Sequence, residues 1–132
     1  VTIKNEQLRN KLKMVFELSN LSIWKYNIQE MEKVKILRYE NGGKYKWHTD
    51  SGSKETSLRK LTAVVQLSDP DNYEGGDLEF GITDKSGKNN YTAPRTRGSI
   101  TIFPAFLSHR VTPITKGRRY SLITWMLGDC FV

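Results

Sequence analysis

The chain has 132 residues, of which 37% are hydrophobic and 27% charged, so it suits one packed domain and is not a disordered protein. Most of its formal net charge of +7 lies in residues 1–60 as single lysines and arginines, which is more typical of a solvated surface than of a track for phosphates. The single cysteine, Cys130, excludes an internal disulfide framework and a multi-cysteine zinc site.

The start of the chain lacks the apolar core of a signal peptide, and no apolar run approaches the roughly 20 residues that a membrane-spanning helix needs. We therefore expect a cytoplasmic protein without a membrane partner. The first residue is Val1 rather than methionine, which leads us to expect a trimmed N-terminus. No motif indicates an oligomeric state.

The first predicted element is a helix over residues 4–19. Apolar residues recur there at positions i, i+4, i+7 and i+8, with charged residues between them: Leu8, Leu12, Val15 and Phe16. Asn20 is the expected end of this helix. Together with the less regular residues that follow, it is predicted to form an N-terminal helical buttress over about residues 4–30.

The pattern then changes to short segments rich in β-branched and aromatic residues, separated by turn-rich pieces. The predicted strands are residues 34–39, 60–68, 77–82, 98–103 and 119–127. We therefore predict a mainly β fold, a β-sandwich or jelly roll over about residues 34–127, buttressed by the helix within one domain of residues 1–132.

The chain contains only two histidines, and one of them belongs to a pattern that suits a metal. In a strand, residues i and i+2 share a face, so His48 and Asp50 can direct a nitrogen and an oxygen to one point. A facial triad for non-haem iron(II) needs one more histidine, for which His109 is the only candidate. A lone His-x-Asp pair is weak evidence, and an ordinary buried His–Asp pair remains the alternative at this point.

Two further motifs add to this pattern. Arg119 and Ser121 share a face of the last predicted strand, where a guanidinium and a hydroxyl can bind a carboxylate. The alternative for Arg119 is a surface position on an edge strand. Gly75 and Gly76 precede a predicted strand and allow another backbone or a ligand to come close.

The order and spacing of these motifs resemble the iron(II)- and 2-oxoglutarate-dependent oxygenases, and most of all their prolyl-4-hydroxylase-like branch with its small bacterial and viral members. The matching positions are Tyr39, Gly42, Tyr45, His48, Thr49, Asp50, Glu74 to Leu78, His109 to Pro113, Gly117, Arg119 and Trp125. The resemblance implies a double-stranded β-helix, which is a distorted jelly roll that binds a metal between its sheets.

The resemblance also implies roles for single residues. It implies that His48, Asp50 and His109 ligate iron(II). It further implies that Arg119 pairs with the distal carboxylate of 2-oxoglutarate, with help from Ser121.

Other positions are expected around the same site. Tyr39 matches a tyrosine that reaches the cosubstrate, and Leu78 matches an apolar residue that lines its pocket. Trp125 matches a tryptophan near the metal, and Tyr45 is expected to pack beside the site or to touch substrate. Gln66 stands where relatives often have a tyrosine, and its amide is expected to bind 2-oxoglutarate instead.

The activity that the resemblance implies is hydroxylation of a C–H bond by O2, coupled to decarboxylation of 2-oxoglutarate to succinate and CO2. The leading substrate is a prolyl or related residue of a peptide or protein, and ascorbate is a candidate additional cofactor. A nucleobase or small metabolite is the alternative within this chemistry. A non-catalytic basic jelly roll that binds nucleic acid is the alternative outside it, and is not favoured.

Two loops are candidates for choosing the substrate. Residues 51–60 follow the His48–Asp50 pair, are rich in serine, and are expected to form a mobile lid. Residues 83–97 mix basic and aromatic side chains that suit an acidic peptide or a nucleic acid. A solvated hairpin connection is an equally good interpretation of residues 83–97.

Overall fold

The structure, a computed structural model, describes residues 1–129, and Cys130, which has no expected role, lies outside them. Its helical segments are α1 (Glu6–Ser19), a π-helical turn (Asn20–Trp24) and two 3-10 turns (Lys54–Leu58 and Pro70–Asn72). Its strands are β1 (Thr2–Ile3), β2 (Ile28–Met31), β3 (Val34–Glu40), β4 (Tyr45–His48), β5 (Arg59–Gln66), β6 (Tyr73–Gly75), β7 (Leu78–Thr83), β8 (Asn90–Thr92), β9 (Ile100–Pro104), β10 (His109–Val111) and β11 (Ile114–Gly128).

The strands of this part of the chain form two antiparallel sheets. The larger has the order β1-β3-β11-β5-β9, with β2 and β6 also pairing with β11, and the smaller has the order β4-β10-β7-β8. This mainly β architecture with one α-helix confirms the predicted double-stranded β-helix and its helical buttress. No helix among residues 1–129 is long and apolar enough to cross a membrane.

The predicted helix is confirmed, and its apolar stripe determines where it packs. The side chain of Asn5 caps its N-terminus by accepting a 2.9 Å hydrogen bond from the N–H of Leu8. Leu12 and Phe16 are buried against the outer face of the larger sheet, in clusters that include Leu61 of β5 and residues of β3 and β11. The helix therefore covers one face of this sheet and leaves the other free for a site.

Alternation along the long strand β11 separates these two faces. Leu122 and Met126 belong to the clusters under the helix, whereas Ser121 and Trp125 line a cavity on the opposite face. A further apolar cluster joins the two sheets and includes Phe80 of β7 and Phe103 of β9, whose rings pack edge to face. One strand thus contributes to the core and to the cavity with alternate residues.

The five predicted strands correspond to β3, β5, β7, β9 and β11, whereas the remaining six have only two to four residues each. Such short strands contain too few residues for an alternating pattern, so the sequence did not reveal them. The last residues of the predicted buttress therefore belong to strand β2, which pairs with β11. The predicted loop 83–97 contains β8, which forms a hairpin with β7.

Gly75 shows why a small residue was expected before β7. Its φ is +75°, and a Cβ atom there would lie 2.0 Å from the carbonyl oxygen of Pro113. The absence of a side chain therefore lets β6 approach β11 closely, as the sequence predicted for this glycine.

Candidate active site

Three potential metal donors meet in the space between the sheets. His48 ends β4 and His109 begins β10, and the two residues are direct partners in the pairing of these strands. Asp50 follows β4 in a bend, where its backbone N–H donates a 2.8 Å hydrogen bond to the carbonyl of Ala105. The three side chains each offer a donor atom, and these atoms lie within 4.8 Å of one another. Asp50 therefore faces His48 because of a bend that Ala105 holds, rather than because one strand continues through both residues.

Both imidazole rings present the same nitrogen to this centre. Nδ1 of His48 lies 2.6 Å from the carbonyl oxygen of Lys46, and Nδ1 of His109 lies 2.9 Å from that of Leu107. A carbonyl only accepts hydrogen bonds, so each Nδ1 carries a hydrogen and each Nε2 faces the centre. A neutral ring offers the Nε2 lone pair to a metal, whereas a protonated ring donates from Nε2 to Asp50. Such an outer hydrogen bond is the usual support of a histidine that binds a metal.

The two carboxylate oxygens of Asp50 have different neighbours. Oδ1 lies 3.3 Å from Nε2 of His48 and 3.4 Å from Nε2 of His109. Oδ2 accepts hydrogen bonds from the hydroxyl of Thr62 at 2.8 Å and from the indole N–H of Trp125 at 3.1 Å. The protein thus satisfies Oδ2 and leaves Oδ1 directed at the histidines.

Hydrogen bonding also sets the charge of this carboxyl. Burial by itself would raise the pKa of Asp50, but hydrogen bonds from the two histidines and from Trp125 outweigh burial and hold that pKa well below its usual range. Burial by itself would lower the pKa of His48, but its hydrogen bonds to Asp50 and to the Lys46 carbonyl raise it. Asp50 is therefore ionised at neutral pH, as a metal ligand must be.

This donor set fits iron(II). Two imidazole lone pairs and a carboxylate oxygen that face one another repel unless a cation or a proton lies among them. Two histidines and one carboxylate form the facial triad of non-haem iron(II) sites, which leaves three coordination positions open. His48, Asp50 and His109 can therefore hold iron(II) and leave room for further ligands.

The three donors open into a cavity of about 490 Å³, which we call the central cavity and which Arg119 also lines. Arg119 is only 3% exposed, and no carboxylate among residues 1–129 lies within 4 Å of its guanidinium. Burial lowers the pKa of Arg119, while the nearby Tyr39 and Tyr73 act in the opposite direction. Because a buried cation without a counter-charge is costly, this arrangement indicates that an anionic ligand completes the site.

A hydroxyl supports Arg119 from a smaller neighbouring cavity. The phenol of Tyr73 accepts a hydrogen bond from the side-chain amide of Gln66, and the same phenol favours the charged form of Arg119, which lines this cavity with it. The guanidinium of Arg95 lies 4.3 Å from the centre of the Tyr73 ring and 2.6 Å from a carboxylate oxygen of Asp77. Gln66 lines this smaller cavity rather than the central one, and its expected role toward a cosubstrate stays a prediction.

The other predicted site residues line the central cavity: Tyr39, Tyr45, Leu78, Ser121 and Trp125. Tyr45 is half exposed, and its ring stacks on that of His48 with 3.8 Å between the centroids. Trp125 supports Asp50 through its N–H, so its indole serves the candidate metal centre as well as the cavity wall. Residues 51–60 include a 3-10 turn beside the cavity, and their expected mobility stays a prediction.

Sequence reasoning did not single out two residues that hold this site together. Thr62 donates a hydrogen bond to Asp50. The alternation of β5 could have placed Thr62 on the cavity face, because its neighbours Leu61 and Ala63 face the helix. Arg59 stacks over Trp125 with 3.7 Å from its guanidinium carbon to the ring centre, and Glu32 binds it at 2.7 Å. No local pattern links Arg59 to Glu32, which precedes it by 27 residues.

Comparisons with known proteins agree with this geometry. A profile of the 2OG-Fe(II) oxygenase superfamily matches residues 34–127. A PKHD-type hydroxylase from Teredinibacter turnerae is 29% identical over 137 residues, which cover 92% of this chain and 59% of that protein. One from Pseudomonas fluorescens is 34% identical over 93 residues, which cover 66% of this chain and 39% of that protein. The chain thus spans between 39% and 59% of the length of these two relatives.

Solved structures show the same fold at lower identity. A Pseudomonas putida prolyl-4-hydroxylase aligns with a TM-score of 0.72 and 20% identity, over 94% of this chain and 65% of that one. The viral collagen prolyl hydroxylase of Paramecium Bursaria Chlorella virus-1 aligns with a TM-score of 0.69 and 19% identity, over 98% of this chain and 78% of that one. Because the family profile covers most of the chain, the protein belongs to the 2OG-Fe(II) oxygenase superfamily, whose cofactor is Fe(II) and whose cosubstrates are 2-oxoglutarate and O2.

Proposed function

We propose that this protein is a 2-oxoglutarate-dependent dioxygenase that hydroxylates a C–H bond of a prolyl or related residue in a peptide or protein. The observation that carries the proposal is that His48, Asp50, His109 and the buried Arg119 line one cavity. The reaction converts the substrate, 2-oxoglutarate and O2 into the hydroxylated product, succinate and CO2. We propose that residues 1–132 form one domain with this activity.

The metal ligands in this proposal are His48, Asp50 and His109. Iron(II), when bound, supplies the activation of O2 that the hydroxylation requires. The role of the chain is to orient the ligands. The carbonyls of Lys46 and Leu107 fix the two rings through Nδ1, and Thr62 with Trp125 fixes the carboxylate.

Arg119 binds the distal carboxylate of 2-oxoglutarate in this proposal. A guanidinium can donate two parallel hydrogen bonds to a carboxylate, and in this buried position few water molecules compete for them. Ser121 lies two residues further along β11 and lines the same cavity, where its hydroxyl can donate a third hydrogen bond. Tyr39 and Leu78 provide walls that exclude water from the cosubstrate.

The substrate class rests on two kinds of support. Prolyl hydroxylases are among the proteins of similar fold, including one from Trichoplax adhaerens in complex with a peptide fragment of the hypoxia inducible factor oxygen degradation domain. In this chain, Tyr45 is 50% exposed beside the central cavity and Trp47 is 42% exposed nearby, which suits contact with a peptide. A need for ascorbate stays a prediction.

A binding measurement and an activity measurement together test the proposal. Anaerobic addition of iron(II) and 2-oxoglutarate should produce the weak visible metal-to-ligand absorption of a chelated keto acid. Succinate should then form when O2 and a proline-containing peptide are added. Folded protein without the absorption band would contradict the enzyme function. Succinate formation driven only by nucleobases or small metabolites would contradict the peptide substrate.

A further inference from the structure

The surface beside the central cavity carries a groove that the proposed chemistry does not use. This hollow of about 370 Å³, which we call the β4 groove, is lined by Lys44, Tyr45, Lys46, Trp47, Arg110, Val111, Thr112 and Pro113. It shares Tyr45 and Val111 with the central cavity. Because Tyr45 stacks on His48, a ligand in this groove lies one side chain away from the candidate metal centre.

The charge around these two hollows is strongly one-sided. The described residues that line them include one carboxylate, that of Asp50, and six basic side chains: Lys35, Lys44, Lys46, Arg59, Arg110 and Arg119. Glu32 neutralises Arg59 and Glu79 neutralises Arg110, both at 2.7 Å or less. The cosubstrate is a dianion and accounts for Arg119, so the three lysines remain without a counter-charge.

These three lysines are available to a partner. All of them are exposed, and no carboxylate among residues 1–129 lies within 4 Å of their amines. Lys44 and Lys46 flank Tyr45 in the groove, and Lys35 lies on the wall of the central cavity. Clustered positive charge beside a cleft favours an anionic ligand and increases its rate of association.

The groove also has a prepared apolar surface. The guanidinium of Arg110 lies 4.9 Å from the centre of the Trp47 ring, and Glu79 holds that guanidinium in place. Trp47 thus presents an oriented aromatic face to solvent, and Val111 and Pro113 line the same groove. A fixed aromatic face loses little conformational entropy when a partner binds.

We propose that the peptide substrate carries acidic residues next to the residue that is hydroxylated, and that the β4 groove binds them through Lys44 and Lys46 while their backbone packs on Trp47. This inference rests on the proposed function and specifies its substrate. In this arrangement the peptide residue that is hydroxylated enters the central cavity, and the peptide residues that flank it bind in the β4 groove.

Two observations favour a peptide over a nucleic acid. In the described part of the chain β4 is one of the two edge strands of its sheet, so its outer edge can pair with an extended peptide. The one guanidinium of the groove, Arg110, is already bound by Glu79, which leaves single ammonium groups rather than the paired donors that favour phosphate. Three exposed lysines also provide fewer contacts than nucleic-acid binding usually needs.

Peptide binding without turnover tests this inference. Three labelled peptides of equal length carry a central proline flanked by glutamate, glutamine or lysine. Their affinities are measured by fluorescence anisotropy with the iron(II)- and 2-oxoglutarate-loaded protein under nitrogen. We expect the glutamate peptide to bind about fivefold to tenfold more tightly than the glutamine peptide, and the lysine peptide to bind most weakly. The preference should shrink as salt is raised from about 0.05 M to about 0.5 M.

Charge reversal in the groove provides the decisive comparison. Lys44→Glu combined with Lys46→Glu should reverse the order of the glutamate and lysine peptides. Lys11→Glu combined with Lys13→Glu makes the same change of charge on α1, on the far side of the larger sheet, and should preserve the order. Trp47→Ala should weaken all three peptides and leave their order unchanged.

Several results would overturn the inference. One is that the unmodified protein binds the glutamate and glutamine peptides equally or binds neither. Another is that the variant with Lys44→Glu and Lys46→Glu still prefers the glutamate peptide. Displacement of the glutamate peptide by an oligonucleotide at lower concentration would assign the groove to nucleic acid. If the glutamate preference holds but no peptide gives succinate, the groove is supported and the hydroxylase function is refuted.

Discussion

The indole N–H of Trp125 donates a 3.1 Å hydrogen bond to Oδ2 of Asp50, the carboxylate oxygen that points away from the two histidines. This bond ties β11, a central strand of the larger sheet, to a residue that follows β4, an edge strand of the smaller sheet. Thr62 donates to the same oxygen from β5. The larger sheet therefore fixes the orientation of the proposed carboxylate ligand.

Loss of this indole donor should weaken metal binding. Trp125→Phe keeps an aromatic ring and removes the N–H, so Asp50 gains rotational freedom. We expect the affinity for iron(II) or manganese(II), measured by anaerobic titration, to fall by about tenfold or more. Trp24→Phe is the matched control and should not change this affinity, because Trp24 is a partly buried tryptophan of the π-helical turn that packs against the cluster of Phe16. Equal affinities in the two variants would show that the indole does not support the ligand.

Removal of a proposed ligand should abolish turnover without unfolding the protein. His48→Ala deletes a partly exposed side chain at the rim of the cavity, so the far-ultraviolet spectrum should stay unchanged. We expect iron(II) to raise the melting temperature of the unmodified protein, and this increase should disappear in His48→Ala because it depends on metal affinity. Persistent succinate formation, or a persistent metal-induced increase, would refute the triad.

Asp50→Ala should also abolish turnover, at a greater cost in stability. The substitution removes the acceptor of Thr62 and Trp125, which then lie buried without a partner. We expect a loss of about 1–3 kcal/mol in the free energy of unfolding, measured by denaturant titration. A fully stable variant would indicate that these two donors find other partners.

Arg119 should affect cosubstrate binding and stability in opposite directions. Arg119→Met removes the proposed hydrogen bonds to 2-oxoglutarate, so its dissociation constant should rise by about 100-fold while metal affinity stays nearly unchanged. Without cosubstrate, the variant should be at least as stable as the unmodified protein, because it no longer buries an unpaired cation. Arg118→Met, at an exposed neighbour paired with Glu40, is the control. Unchanged 2-oxoglutarate affinity in Arg119→Met would refute this role.

Tyr73 should support Arg119 through its hydroxyl. Tyr73→Phe leaves the ring under Arg95 but removes the hydroxyl that binds Gln66 and favours the charged form of Arg119. We expect the KM for 2-oxoglutarate to rise several-fold, with a smaller change in kcat and no change in metal affinity. Tyr91→Phe, at an exposed position on β8, is the control. A lower kcat at an unchanged KM would contradict this role.

Two glycines with similar backbone angles should respond differently to a methyl group. Gly75 and Gly42 have φ values of +75° and +80°, but a Cβ atom at Gly75 would clash with Pro113, whereas at Gly42 nothing lies within 4 Å. Gly75→Ala should therefore cost more than about 2 kcal/mol of unfolding free energy, and Gly42→Ala about 1 kcal/mol. Equal losses in denaturant titrations would mean that β6 can move away from β11.

Local patterns in the chain were sufficient to predict the helix and the five longer strands. They also drew attention to His48 with Asp50 and to Arg119 with Ser121, whereas the roles of these residues came from the family resemblance. Side chains return to the same face every three to four residues in a helix and every two residues in a strand. The sequence therefore shows that Leu12 and Phe16 share a helix face and that Arg119 and Ser121 share a strand face. The chemistry of two histidines and one carboxylate is likewise a property of residue types.

Only the tertiary structure decided which distant residues meet. His109 lies opposite His48, Trp125 and Thr62 reach the same oxygen of Asp50, and Tyr73 reaches Arg119. These contacts depend on the register of strands that are far apart in the chain. That register is set by the packing of whole sheets and by turns such as the bend before Asp50, and a shift by one residue would turn each side chain to the opposite face.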